Sequence, residues 1–150
     1  MKILFVCTGN TCRSPMAAAI LKAMLRERRI EGIEVESAGI AAFPGQTASP
    51  NAIRVMEGRD ISLEDHRAQA AETEKLLKSD LILTMTESHK TAVLSQIPNL
   101  WGKIYTLKEY AGMTDKDISD PFGLSVEEYR RTAQEIQEVL EKAIEKIVSK

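Results

Sequence analysis

Cys7-Thr8-Gly9-Asn10-Thr11-Cys12-Arg13-Ser14 follows directly on the apolar run Ile3-Leu4-Phe5-Val6 and directly precedes Pro15. A short apolar run containing β-branched residues reads as a buried strand, and Ser14 before a proline reads as an N-cap followed by the first helical position. The residues between them must then form a tight strand-to-helix turn. Gly9 takes positive φ without penalty and Asn10 tolerates it, so successive backbone N–H groups can converge into a nest that attracts an anion. The helix start adds unpaired N–H groups and a positive dipole end. Arg13 adds a permanent charge whose planar fork matches two phosphate oxygens. Cys7 enters this electropositive cup from the strand end, where its thiol is expected to fall below the free value of about 8.5. Such a cup suits a nucleophile lying beneath a bound phosphoryl group. An inert buried cysteine, the alternative, has no need of this loop.

The rest of the chain frames that site. Its 150 residues suffice for one domain, expected to span residues 1–150, and its net charge of −2 is spread over interspersed acids and bases. That pattern provides neither a nucleic-acid stripe nor a polybasic membrane anchor. No apolar run reaches membrane-span length and the N-terminus has no signal-peptide pattern, so a cytoplasmic location and a monomer are expected. Cys7 and Cys12 are the only cysteines. Their place in one loop argues against a secreted disulfide framework and for reactive thiols in a reducing compartment. His66 and His89 lie outside metal-ligand spacing, so no metal or cofactor is expected.

Cys-x5-Arg followed by serine, set behind an N-terminal strand and paired with the distant Asp120-Pro121-Phe122, resembles the low-molecular-weight protein tyrosine phosphatases. That family also includes bacterial protein arginine phosphatases and a lineage of arsenate reductases. The resemblance covers nearly the whole chain. It implies an α/β domain of flavodoxin-like arrangement, with a four-stranded parallel sheet and helices on both faces. It further implies phosphorylated protein substrates and a cysteinyl-phosphate intermediate. Cys7 is then the nucleophile, Arg13 the phosphoryl clamp and Asp120 the general acid, with Thr8, Gly9, Asn10, Thr11, Cys12 and Ser14 cradling the phosphate. By the same resemblance His66 hydrogen-bonds Asn10, and the loop containing Phe43 lies beside the pocket mouth.

Element by element, Met16 to about Arg29 reads as a helix with Met16, Ile20 and Met24 toward the sheet. Ile33 to Ser37 alternates as an edge strand. Ser49-Pro50 starts a helix that Gly58 can end. Ala71 to Lys78 reads as helix, Asp80 to Met85 as a central strand, Glu87 to Gln96 as helix and Lys103 to Leu107 as a fourth strand. The last helix begins at the capping box Ser125-x-x-Glu128 and carries Tyr129, Ala133, Ile136, Leu140, Ala143 and Ile147 on one face. Alternating strands and helices give a parallel sheet whose site lies at strand carboxyl ends, where Cys7 stands.

The departing group needs a proton and the later attacking water a base, and one carboxylate can serve both. Of the aspartates in 114–122, Asp120 is chosen because Pro121 holds it in an extended conformation. Asp115 and Asp117 read as a solvated turn. Ser14 can also stabilise the Cys7 thiolate as leaving group, and Phe122 can pack on the substrate. Thr11 resembles the arginine phosphatases, whereas the tyrosine branch usually has a bulkier aliphatic residue there. Phosphoarginine is therefore the expected substrate and phosphotyrosine the alternative. Arsenate reduction would need a cysteine beyond Cys12, and none exists. Cys12 is expected to capture an oxidised Cys7 as a disulfide.

Overall fold

The structure is a computed structural model that describes residues 1–149. Its strands are β1 (Lys2–Cys7), β2 (Glu34–Gly39), β3 (Leu81–Thr84) and β4 (Ile104–Thr106). They form a four-stranded sheet in the order β2-β1-β3-β4, and every neighbouring pair is parallel. The helices are α1 (Arg13–Glu27), α2 (Pro50–Glu57), α3 (Thr73–Lys78), α4 (Glu87–Gln96), α5 (Leu107–Tyr110) and α6 (Val126–Val148).

The period of two along β1 separates two cores. Ile3, Phe5 and Cys7 join the core built with α1, α2, α5 and α6, while Leu4 and Val6 join Leu76, Val93 and Leu100 on the opposite face. Burial on both faces explains why β1 and β3 read as continuous apolar runs and why β2, at the edge, alternates. The chain leaves β1 toward β2 and returns to β3 on the other side of β1. The crevice at that reversal, beyond the strand carboxyl ends, is where such sheets place their sites.

Four local expectations need correction. Helix α1 begins at Arg13 with Cys12 as its N-cap, so Ser14 is not the cap and Pro15 is the third helical residue. Proline fits there because the first-turn amides lack intrahelical partners. Within the loop the positive φ belongs to Asn10, at 58°, and not to Gly9. The close backbone approach falls instead at Gly39, where a Cβ would stand 2.5 Å from the Thr8 carbonyl oxygen. Leu107 does not extend β4. It opens α5, held by a capping box in which Thr106 and Glu109 exchange side-chain-to-backbone hydrogen bonds. At α6, Ser125 accepts from the Glu128 amide, but the Glu128 carboxylate pairs with Arg131.

Candidate active site

Asn10 is the hub of the loop between β1 and α1. It is fully buried, and its left-handed backbone is held by bonds from its own side chain. Its Nδ2 donates to Ser14 Oγ at 2.8 Å and to Ser37 Oγ at 2.9 Å, while its Oδ1 accepts from the Gln69 amide at 2.9 Å. Every polar group of the amide is thus satisfied, as burial demands. Its carbonyl accepts from His66 Nε2 at 2.7 Å, which fixes the His66 tautomer. The contact expected for His66 is present, and it is made to the main chain. Burial, with the charges of Lys22 and Arg67, lowers His66 below the ordinary histidine value against the upward pull of its bond to Asn10.

Ser14 relays this order to Cys7. Its oxygen accepts from Asn10 and lies 2.9 Å from Cys7 Sγ, so its own O–H is left to donate to the sulfur. The leaving-group role expected of Ser14 has its geometry, and that use of the hydroxyl explains why Ser14 does not cap α1. Burial nevertheless pushes the Cys7 thiol up from its ordinary value, contrary to the low value expected for an open electropositive cup. The Ser14 hydroxyl and amide, the Asn10 amide and the Arg13 charge all pull the other way. Those three donors and the Arg13 charge hold the negative charge once the thiolate forms.

Arg13 is 5% exposed and donates through Nη1 to the Ile118 carbonyl at 3.1 Å, with Nη2 3.5 Å from Asp120 Oδ2. The acid loop therefore meets the phosphate loop at the arginine. Asp120 keeps an open side chain, and its Oδ1 accepts from the Phe122 amide at 3.1 Å. Asp115 and Asp117 are not merely solvated: Asp115 pairs with Lys108 at 2.6 Å, and Asp117 accepts the Glu87 amide at 2.8 Å.

A cleft of about 320 Å³ gathers Cys7, Thr8, Gly9, Thr11, Cys12, Arg13, Phe43, Gln46, Asp120 and Phe122 along its walls, with Ala41. Asn10 and Ser14 lie beneath it. Phe43 and Phe122 are exposed aromatic rings on this wall. Both cysteines are free, and Cys12 Sγ lies 3.0 Å from Ser49 Oγ and 3.3 Å from the Tyr129 hydroxyl. Burial and the neighbouring Cys12 push Tyr129 up to about 12.

Sequence reasoning missed the residues that reach the site from a distance. His89, in the first turn of α4, places Nε2 2.9 Å from Thr8 Oγ1. Its position just beyond the carboxyl end of β3 was the available signal. Lys108, Glu135, Ser37, Gln69 and Tyr129 left none, because only the fold brings them near. Among the described residues, no group of three His, Cys, Asp or Glu side chains could hold a metal ion, and no helix is long and apolar enough to cross a membrane.

Known proteins place this arrangement. The Bacillus subtilis protein-arginine-phosphatase is 43% identical over 141 residues, covering 93% of this chain and 92% of its own. The low molecular weight protein-tyrosine-phosphatase PtpB of Staphylococcus haemolyticus is 43% identical over 136 residues, covering 91% and 92%. A YwlE arginine phosphatase mutant, solved with a phosphorylated active-site serine, superposes with a TM-score of 0.93 at 37% identity, covering 98% of this chain and 95% of its own. Residues 2–150 match the profile described as low molecular weight phosphotyrosine protein phosphatase, and the chain belongs to that family.

Proposed function

We propose that this protein hydrolyses phosphoarginine in proteins through a cysteinyl-phosphate intermediate. The observation that carries the substrate choice is Thr11, which lines the same cleft as Cys7 and Asp120. A threonine leaves room and a hydroxyl for a planar phosphoguanidinium where a larger aliphatic side chain would fill the space. Similarity to two protein-arginine-phosphatases supports the same reading.

The phosphoryl group seats in the loop, with its equatorial oxygens on backbone N–H groups and the Arg13 fork. Cys7 Sγ attacks phosphorus opposite the leaving nitrogen, which takes a proton from Asp120 as the P–N bond breaks. The Asp120 carboxylate then removes a proton from the water that attacks the cysteinyl phosphate. The S–P bond breaks, phosphate departs and the Ser14 hydroxyl receives the returning thiolate charge. The protein acts as a cytoplasmic monomer on phosphorylated proteins, where its two free thiols suit a reducing compartment.

The exposed rings of Phe43 and Phe122 favour a second reading, phosphotyrosine, because they can stack on an aromatic leaving group. The ratio of kcat/KM for a phosphoarginine peptide to that for the matched phosphotyrosine peptide separates the two. It should exceed one in the wild type and fall in Thr11→Ile. A wild-type ratio below one would reverse the substrate assignment, and an unchanged ratio in the variant would move the choice to the aromatic rings.

A further inference from the structure

Lys108 of α5 is a cation whose side chain is only 5% exposed. Its ammonium lies 2.6 Å from Asp115 Oδ2 and 2.8 Å from Glu135 Oε2 of α6. The second Glu135 oxygen, Oε1, accepts from the backbone amide of Ser119 at 3.1 Å. Ser119 immediately precedes Asp120, so a chain of charge-assisted contacts runs from the buried lysine to within one residue of the acid. Burial by itself would lower the lysine, but the two carboxylates outweigh it and raise it above its ordinary value, so it stays charged.

A buried ion pair is a poor source of stability, since the desolvation of its charges offsets much of their attraction, and its best-attested use is to fix one arrangement over others. The arrangement at stake here is that of residues 119–122. On the near side the segment is held at Ile118, whose amide donates to Met85 at 2.8 Å and whose carbonyl accepts from Arg13. Beyond Ile118, Asp120 has only a turn bond to Phe122 and a 3.5 Å approach to Arg13. Glu135 supplies the fixed point between Ile118 and Asp120.

We propose that Lys108 and Glu135, with Asp115, are positioning residues for proton transfer: by clamping the Ser119 amide they set the reach of the Asp120 carboxylate to the leaving atom. The proposal rests on Asp120 being the general acid. It explains why a lysine should be buried in a part of the molecule that touches no substrate. The two carboxylates keep access to water, so removing the lysine does not strand them as buried charges.

The test varies the leaving group, using the intact protein with phenyl phosphate and with dinitrophenyl phosphate. Phenolate is basic and needs a proton as it departs, whereas dinitrophenolate leaves without one. Asp120→Asn should lower kcat/KM for phenyl phosphate by about 10²–10⁴-fold and for dinitrophenyl phosphate far less. Lys108→Met and Glu135→Ala should show the same bias on a smaller scale, about tenfold against less than about twofold, as expected for a displaced acid. Inhibition by inorganic phosphate should be unchanged in both. Glu135→Gln, which keeps an oxygen for the Ser119 amide, should lie between wild type and Glu135→Ala. Adding Lys108→Met to Asp120→Asn should cost nothing more with phenyl phosphate.

Equal losses on the two substrates, weakened phosphate inhibition or no loss would each overturn the clamp. If Asp120→Asn itself shows no leaving-group bias, the assignment of the acid fails first. Should Lys108→Met not fold, the Glu135 pair carries the same test from a partly exposed position on α6.

Discussion

Residues 7–14 and residues 114–122 face each other across one cleft, yet Asn10 and Ser14 are wholly enclosed whereas the Asp120 side chain is 56% exposed. The phosphate loop is held by short bonds that converge on its own asparagine, with Ser37, His66 and Gln69 closing the shell. The acid loop is held by ties to distant elements: Met85, Glu87, Lys108 and Glu135. The difference matches the two tasks. An oxyanion cup works by being organised before the substrate arrives, so its dipoles do not have to reorient. In the proposed reaction Asp120 must deliver a proton to a leaving group of variable shape and then admit water, which requires an open side chain on a fixed stem.

The largest expected effect bears on the enclosed loop. Cys7→Ser should abolish hydrolysis with the fold intact, because an alcohol supplies no comparable anion near neutral pH and the Ser14 contact remains available to it. Arg13→Lys should lose nearly as much, since a point charge reproduces neither the fork nor the bond to the Ile118 carbonyl. Steady-state kinetics on purified, folded variants provides the check. Substantial turnover by the serine variant would remove Cys7 as nucleophile. Near-normal turnover by the lysine variant would show that the two loops need no shared arginine.

This contrast also explains what could be read from the chain. Cys7 to Ser14 form a local structure whose residue types and spacing imply their geometry. Continuous apolar runs placed β1 and β3, alternation placed β2 and β4, and the four-three period placed the long helix α6. Even there, the loop's positive φ fell on Asn10 and not on Gly9, because three side-chain bonds compensate asparagine for a conformation that glycine would adopt freely. The sign of the Cys7 shift was misread for a related reason: donor types are visible in a sequence, but the burial opposing them is not. Asp120 was singled out through its proline, and its carboxylate lies on the cleft wall 3.5 Å from Arg13. Its supports were not, since Lys108 and Glu135 are ordinary helix residues until the packing of α5 on α6 joins them.

A smaller effect lies where the two loops meet electrostatically. His89 is 4% exposed, with Nε2 on Thr8 and Nδ1 unpartnered. Burial first, and the Arg13 charge second, lower it to about 4, while Asp120 and Asp117 pull it upward. The unfolded chain takes up this proton near 6.5, so the neutral ring's contribution is fully present above that pH. It is lost as pH falls from about 6.5 toward about 4, amounting to about 3 kcal/mol in all. Urea unfolding across that range should therefore show a steeper acid loss in wild type than in His89→Gln. Asp120→Asn should depress His89 further by removing a favourable charge. Parallel curves for wild type and His89→Gln would mean that the ring takes its proton without disturbing Thr8, and that the enclosed loop is less closed than its burial implies.

The smallest effect concerns recovery from damage, and it too separates the loops, because the acid loop carries no thiol. Peroxide oxidises the Cys7 thiolate to a sulfenic acid with release of hydroxide, and we propose that the Cys12 thiol then displaces the sulfenic hydroxyl as water to form a disulfide. Both thiols are free and both line the cleft. To reach Cys7, Cys12 must give up its contacts with Ser49 and Tyr129. After a fixed peroxide pulse, thiol reductant should restore wild-type activity almost fully and Cys12→Ser activity only in part, since an uncaptured sulfenic acid proceeds to irreversible sulfinic acid. Inorganic phosphate present during the pulse should slow the loss in both by covering Cys7. Equal recovery of the two proteins would show that the Ser49 and Tyr129 contacts keep Cys12 out of reach, leaving it a purely structural part of the enclosed loop.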